Sequence, residues 1–365
     1  MPNKITNALK QKTLYHKRIL LRKISPDFFG PDILRIYPVG YLCNHSCPMC
    51  WRSNNVSSQE KRKLIRLEKK SLTIDEYQKV FATLPPATNT VDIVGGGEQL
   101  IYPQIKELTN LIKKRNLYGT LITNGVLLKS DLINHLLSIN WDHIRISIHA
   151  SNPDIYKLIN GVNHFQTVLS NIRSFMNLRQ KRQNQSKNKT RIGVLSVIQK
   201  QNYQDVYDFA LLAQKLRCDY VEFDPLCPYG DSMKLDSREL EQTLIQLKSI
   251  RKNIHIPNNV TEVIHLYHSQ PHISLENIDA SIYYRLRKCV IPTDSMTLDS
   301  LGETHPCCHL DNSEPENIAC GDFRKVGSLW NIWREKKYIH IRKNLRKGIF
   351  YRTCLSRCTY DLSMK

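Results

Sequence analysis

Through the middle of the chain, near-continuous apolar runs alternate with segments whose apolar residues recur every three or four positions. That alternation predicts strands and helices in turn. The runs fall at 33–42 (ILRIYPVGYL), 90–96 (TVDIVGG), 118–123 (YGTLIT), 143–149 (HIRISIH), 191–199 (RIGVLSVIQ) and 220–225 (YVEFDP). Between them the spacing predicts helices near 73–84, 103–116, 130–139, 153–159, 163–180 and 203–216, with Thr73 and Ser130 as N-caps. Such a regular alternation gives the α/β class, a parallel sheet wound as a partial (β/α)6 TIM barrel. The strand ends are polar or glycine-rich: CNHSCPMC, GGGE, TNG, HAS, QKQN and DPLC. In a parallel barrel these ends converge on one mouth, where the site is expected.

The expected division is a basic N-terminal segment over 1–35, the barrel over 36–230, a helical bridge over 231–285 and a small α+β unit over 286–365. Residues 53–71 (SNNVSSQEKRKLIRLEKKS) and 181–190 (KRQNQSKNKT) look like polar insertions.

A hydrophobic fraction of 41% with 14 Gly and 16 Pro in 365 residues fits a globular chain. No run approaches the roughly 18 apolar residues of a membrane span, and the N-terminus lacks a signal-peptide core, so the expected compartment is the cytoplasm and no membrane partner is expected. Eleven cysteines in that setting point to metal or redox chemistry rather than disulfides. The formal charge is +20, and the ends carry most of it: residues 1–35 hold +6 and residues 321–365 hold +9. These ends are either solvated helix faces or a surface for an acidic partner such as an acidic peptide or RNA.

Cys43-Asn-His-Ser-Cys47-Pro-Met-Cys50 places three thiols directly after the first strand. So short a loop can wrap one face of a cubane and leave one iron without a protein ligand. A zinc ion completed by His45 or a distant residue also suits the spacing. Set beside the six strands, the segment resembles the CxxxCxxC signature of the radical S-adenosylmethionine (SAM) superfamily. The resemblance implies that Cys43, Cys47 and Cys50 are the catalytic metal ligands of a [4Fe-4S] cluster. Its open iron would bind SAM, and reduction would release a 5'-deoxyadenosyl radical that abstracts hydrogen from substrate. It implies further cofactor contacts as well. Gly95, Gly96, Gly97 and Glu98 resemble the GGE-type motif that meets the methionyl amino group, the glycines exposing backbone at close range. Met49 matches the apolar position facing adenine, and Asn124 and Ser147 resemble polar positions that touch ribose and carboxylate. His149 stands where many relatives carry an acidic residue. The matches span about 36–225.

Cys289 is followed by twelve residues, Gly302, four residues and Cys307, and Cys354 and Cys358 close the chain. This resembles the SPASM or twitch extension of the same superfamily, a hairpin whose glycine permits the turn. The resemblance implies one auxiliary [4Fe-4S] cluster on Cys289, Cys307, Cys354 and Cys358, with Cys308 as a substitute for Cys307 and Cys320 spare. A structural zinc is the alternative there. Cys218, Cys227, Cys308 and Cys320 are candidates for returning a hydrogen atom to a substrate radical, and buried packing is the plainer reading of each.

Relatives with such extensions most often modify ribosomally made peptides. The resemblance therefore implies a peptide substrate, altered by crosslinking, epimerisation or backbone rearrangement. With no leader-binding domain expected before Cys43, a peptide would be presented by a separate recognition protein or dock directly, and a flavodoxin or ferredoxin would supply electrons. The alternative is a dehydrogenase of a small-molecule alcohol such as a sugar or aminocyclitol. A zinc-stabilised nucleic-acid-binding protein would account for charge and cysteines but leaves the six strands and GGGE unexplained.

Overall fold

The computed structural model describes residues 26–50, 69–183, 189–226, 233–269, 291–307 and 318–347, with the single positions 52, 65, 67, 289 and 349. Cys227, Cys308, Cys354 and Cys358 lie outside the described residues, as do the first 25 positions and most of the 53–71 insertion. The first half runs α1 (Pro26–Phe29), β1 (Ile33–Ile36), α2 (Ile74–Ala82), β2 (Thr90–Ile93), α3 (Ile105–Lys114), β3 (Tyr118–Thr123), α4 (Ser130–Ser138) and β4 (His143–Ser147). It continues with α5 (Pro153–Asn160), α6 (Phe165–Gln183), β5 (Arg191–Ile198), α7 (Val206–Lys215), β6 (Tyr220–Pro225), α8 (Ser237–Asn253) and α9 (Val260–Ser269). The C-terminal part holds α10 (Ile291–Asp294), β7 (Ser295–Leu298), β8 (Glu303–His305), β9 (Gly321–Asp322), α11 (Phe323–Val326), α12 (Leu329–Trp333) and α13 (Lys336–Arg346).

Strands β1 to β6 pair in sequence order and all parallel. Consecutive order with right-handed crossovers puts the connecting helices on one face, so the sheet curls into a partial barrel with an open concave side. Strand burial follows this geometry. Leu34, Ile36, Val91, Ile93, Ile144 and Ile146 are buried under the helices, while Arg35, Asp92 and Arg145 alternate with them and face the lumen. There Arg35 pairs with Asp92 at 3.7 Å and Arg145 with Glu222 at 2.7 Å, which offsets the cost of drawing charge out of water.

Local chemistry explains where the elements begin and end. Thr73 caps α2 in a capping box, its hydroxyl accepting Glu76 N–H at 3.3 Å while the Glu76 carboxylate accepts Thr73 N–H at 2.8 Å. The cap expected at Ser130 is displaced by one residue: Lys129 holds the N-cap position, and the Ser130 hydroxyl lies 3.4 Å from that of Ser174 on α6. The first apolar run yields only the short β1, because Pro38 has no N–H for a ladder. Gln99 serves the next residue instead, its side chain accepting Val39 N–H and donating to Val39 C=O, each at 3.3 Å. Helix α6 runs three residues beyond the expected 180, and the helix expected at 203 opens as a 3-10 turn over Tyr203–Asp205.

The barrel sheet does not stop at six strands. β7 pairs parallel with β1, Ile33 against Ser295 through Ile36 against Leu298, and β8 and β9 follow antiparallel. The result is one nine-stranded sheet in the order β6-β5-β4-β3-β2-β1-β7-β8-β9. Gly302 makes the β7–β8 turn with φ +95°, a left-handed conformation that favours glycine. The Asp299 carboxylate staples that turn, accepting Leu301 and Glu303 N–H at 2.9 Å each and facing His305 Nε2 at 3.2 Å. Arg324 of α11 grips Glu76 of α2 with two bonds, 2.6 and 3.1 Å, tying the C-terminal part to the barrel's first helix. No helix among the described residues is long and apolar enough to cross a membrane.

Candidate active site

The loop after β1 carries Cys43, Cys47 and Cys50, all half-buried and unbridged. Several contacts shape it. His45 N–H points to Cys43 Sγ at 3.4 Å, Cys50 N–H donates to Cys47 C=O at 3.0 Å, and Arg52 donates to the carbonyls of Tyr41 and His45 at 3.2 and 2.6 Å. Asn160, fully buried at the end of α5, holds the loop from below. Its carbonyl accepts Ser46 N–H at 3.3 Å, and its side chain accepts from Cys47 Sγ at 3.7 Å and donates to Ile148 C=O at 3.1 Å.

Burial raises the Cys43 thiol and pushes Cys47 up to about 12, with Cys50 adding to both. Thiols whose ionisation burial disfavours become a good donor set for a cation that takes them as thiolates. Their spread indicates its size. The three sulfurs do not all lie within 4.8 Å of one another. A single zinc ion would draw thiolates to about 4 Å separation. A multi-iron cluster has the larger footprint and fits. His45, the zinc alternative's fourth ligand, is occupied elsewhere: its ring lies 5.8 Å from His164, and its Nε2 is 3.4 Å from the Tyr156 hydroxyl.

The GGGE segment packs against this loop. A Cβ on Gly97 would lie 2.4 Å from the Leu42 carbonyl oxygen, so only glycine permits the approach. Gly95, with φ +136°, is exposed and Gly96 half-exposed. Glu98 donates its N–H to Leu42 C=O at 2.8 Å, which locks the two segments together. Its buried carboxylate accepts from Thr123 Oγ1 at 2.5 Å, Asn124 N–H at 2.8 Å and Leu100 N–H at 3.1 Å. Burial raises the carboxyl's pKa and these three donors pull it back. The Glu98 side chain thus ties the end of β2 to the end of β3. Asn124 reaches back to the cysteine loop, donating to Asn44 Oδ1 at 2.6 Å. Ser147 ends β4, half-buried and in register with Leu195. Met49 is fixed to the end of β5 by Gln199, whose amide meets its sulfur at 3.2 Å.

The expected residues of the cysteine loop, GGGE, Asn124 and Ser147 therefore lie at the C-terminal ends of β1 to β4. Asn160, Gln99, Gln199, Arg52 and Asn44 escaped the sequence reading. Arg52 acts within the cysteine loop, the other four work through a side-chain bond to a segment distant in sequence, and only the Gln directly after GGGE carried a local hint. Cys289 and Cys307 are half-buried against the core beside the β7–β8 hairpin. Cys320 is buried, its thiol pushed up to about 12 by burial and directed at Ile318 C=O at 3.7 Å. Cys218 precedes β6 and so sits at the opposite end of the sheet from the mouth, which removes it as a hydrogen donor.

Residues 37–213 match the family model described as the radical SAM superfamily, and residues 289–359 match SPASM, an iron-sulfur cluster-binding domain. A probable GTP 3',8-cyclase of Saccharolobus islandicus is 26% identical over 240 residues, covering 62% of this chain and 70% of that protein. Among solved structures, Streptococcus suis SuiB bound to SAM aligns with a TM-score of 0.65 at 15% identity, covering 98% of this chain and 77% of that one. The structure of anSMEcpe with bound SAM and a peptide aligns with a TM-score of 0.57 at 14% identity, covering 89% and 85%. At these identities the two structures establish a shared fold.

Proposed function

Because the chain belongs to the radical SAM superfamily and carries its SPASM iron-sulfur cluster-binding domain, we propose that it cleaves SAM reductively and turns the resulting radical on a peptide. The observation that carries the chemistry is the grouping of Cys43, Cys47 and Cys50 on one loop at the barrel mouth, with the sulfurs not all within 4.8 Å of one another. These cysteines would hold a [4Fe-4S] cluster, which supplies, when bound with SAM, the electron that breaks a carbon-sulfur bond to give the 5'-deoxyadenosyl radical. Arg52 keeps a positive charge beside the thiolates and fixes the loop through two carbonyls. Gly95, Gly96 and Gly97 would offer backbone to the methionyl group, with Glu98 holding that turn against the cysteine loop. Asn124 and Ser147 would orient ribose and carboxylate, and Met49, fixed by Gln199, would flank adenine. Cys289, Cys307, Cys354 and Cys358 would hold one auxiliary [4Fe-4S] cluster.

The peptide substrate is supported by the shared fold with anSMEcpe, whose structure contains a peptide, and by the basic charge of this chain, which favours encounter with an acidic leader. A separate leader-recognition protein and a flavodoxin or ferredoxin complete this reading. The identity to probable GTP 3',8-cyclases favours a second reading, a nucleoside triphosphate substrate. Release of 5'-deoxyadenosine by the reconstituted, reduced protein separates them. A cellular peptide fraction is expected to stimulate release above the rate with SAM alone. Stimulation by GTP and not by peptides would overturn the peptide reading.

A further inference from the structure

The β4–β6 side of the mouth carries two polar groups that the proposed cofactor residues do not use. His149 follows β4 with φ +67°, a left-handed conformation uncommon outside glycine and held here by its neighbours. Ser196 Oγ and Asn202 Nδ2 donate to the His149 carbonyl at 3.3 and 2.8 Å, and its ring Nδ1 accepts Val197 N–H at 3.0 Å. The residue is 5% exposed. Burial pushes its pKa down to about 3, so the ring is neutral; with Nδ1 accepting, the proton sits on Nε2. That Nε2–H has no partner among the described residues.

On the other side of Val197 stands Asp224 of β6, its register partner. Asp224 lies two positions after Glu222 and so faces the same lumen. Arg145 is bonded to Glu222 at 2.7 Å and acts on Asp224 only through space. The Asp224 carboxylate makes no hydrogen bond or ion pair among the described residues. A donor and an acceptor thus flank one residue, and neither has a hydrogen-bond partner among the described residues.

We propose that His149 and Asp224 form a substrate clamp for a backbone amide, Nε2–H donating to the amide carbonyl and the carboxylate accepting the amide N–H. The amide as its source rests on the peptide reading above; the pair itself does not, since neighbouring hydroxyls of a sugar share the same donor–acceptor chemistry.

The test uses the full chain reconstituted with its clusters and SAM, and follows N-acetylalanine N-methylamide and methyl glucoside by saturation-transfer NMR. His149→Asn is suited to it. Asparagine tolerates the left-handed conformation, and its Oδ1 can take the Val197 N–H, but it lacks the reach of Nε2–H. Asp224→Leu removes the acceptor. Amide binding is expected to weaken by about fivefold or more in each variant. SAM affinity by calorimetry should stay within about twofold. His149→Gln restores a donor at the reach of Nε2 while dropping the Val197 bond, and is expected to recover amide binding at a lower melting temperature. Absence of amide binding to the parent, binding unchanged in His149→Asn and Asp224→Leu, or a large loss of SAM affinity in His149→Asn would each overturn the clamp. Binding of the glucoside alone, lost in the same two variants, would support the pair and overturn the peptide reading.

Discussion

His149 carries a consequence for acid stability that can be measured on the protein without substrate. Its pKa falls from 6.5 to about 3 in the folded chain because burial penalises the imidazolium. A lowered folded value contributes stability that is present above pH 6.5 and is lost as pH falls towards 3, because the unfolded chain takes the proton first. His149→Asn removes that titration. Between pH 6.5 and 4 the stability of the parent should fall more steeply than that of the variant, by about 1.4 kcal/mol per pH unit. Urea unfolding at pH 6.5, 5.5 and 4.5 checks this, and parallel curves would contradict it. The position of His149 at a strand end was readable in the sequence. Its left-handed conformation was not, because Val197, Ser196 and Asn202 impose it from the next strand. Asn160 shows the same limit: Asn before Gly161 looks like an ordinary helix end, and its hold on Cys47 exists only once α5 has folded beneath the loop.

At the scale of elements, α2 is the joint between the barrel and the C-terminal part. Thr73→Ala should cost about 1 kcal/mol by removing the hydroxyl that caps Glu76 N–H. The Glu76–Arg324 pair is partly exposed, so its coupling should be modest, about 0.5–1 kcal/mol in a double-mutant cycle read by chemical unfolding. Arg324 holds the Glu76 carboxyl down to about 2. That contribution is therefore complete above pH 4.5 and should vanish only as pH falls through about 2. A coupling already absent at pH 6 would contradict it. The cap was readable because Thr73-x-x-Glu76 is a local signal. The length of β1 was not, since Pro38 ends the ladder and a side chain 60 positions away, Gln99, satisfies the next residue.

Across the whole molecule, the sheet that carries the cysteine loop continues into the C-terminal hairpin. A chain ended before β7 would leave the far edge of β1 unpaired, and exposed strand edges promote association. Such a truncation should elute as aggregate in size-exclusion chromatography, whereas a stable monomer would show that β7 is dispensable to the barrel. The six parallel strands were legible from apolar periodicity. The pairing of β1 with β7 was not, because it joins residues about 260 positions apart with no local mark on either strand. The central claim, that Cys43, Cys47 and Cys50 hold the cluster that cleaves SAM, is tested most directly by 5'-deoxyadenosine release from the reconstituted, reduced protein beside its triple Cys→Ala variant. The parent should hold about eight irons and release 5'-deoxyadenosine, and the variant should keep about four irons and release none. Release from the variant at the parental rate, or zinc without sulfide in the parent, would contradict it.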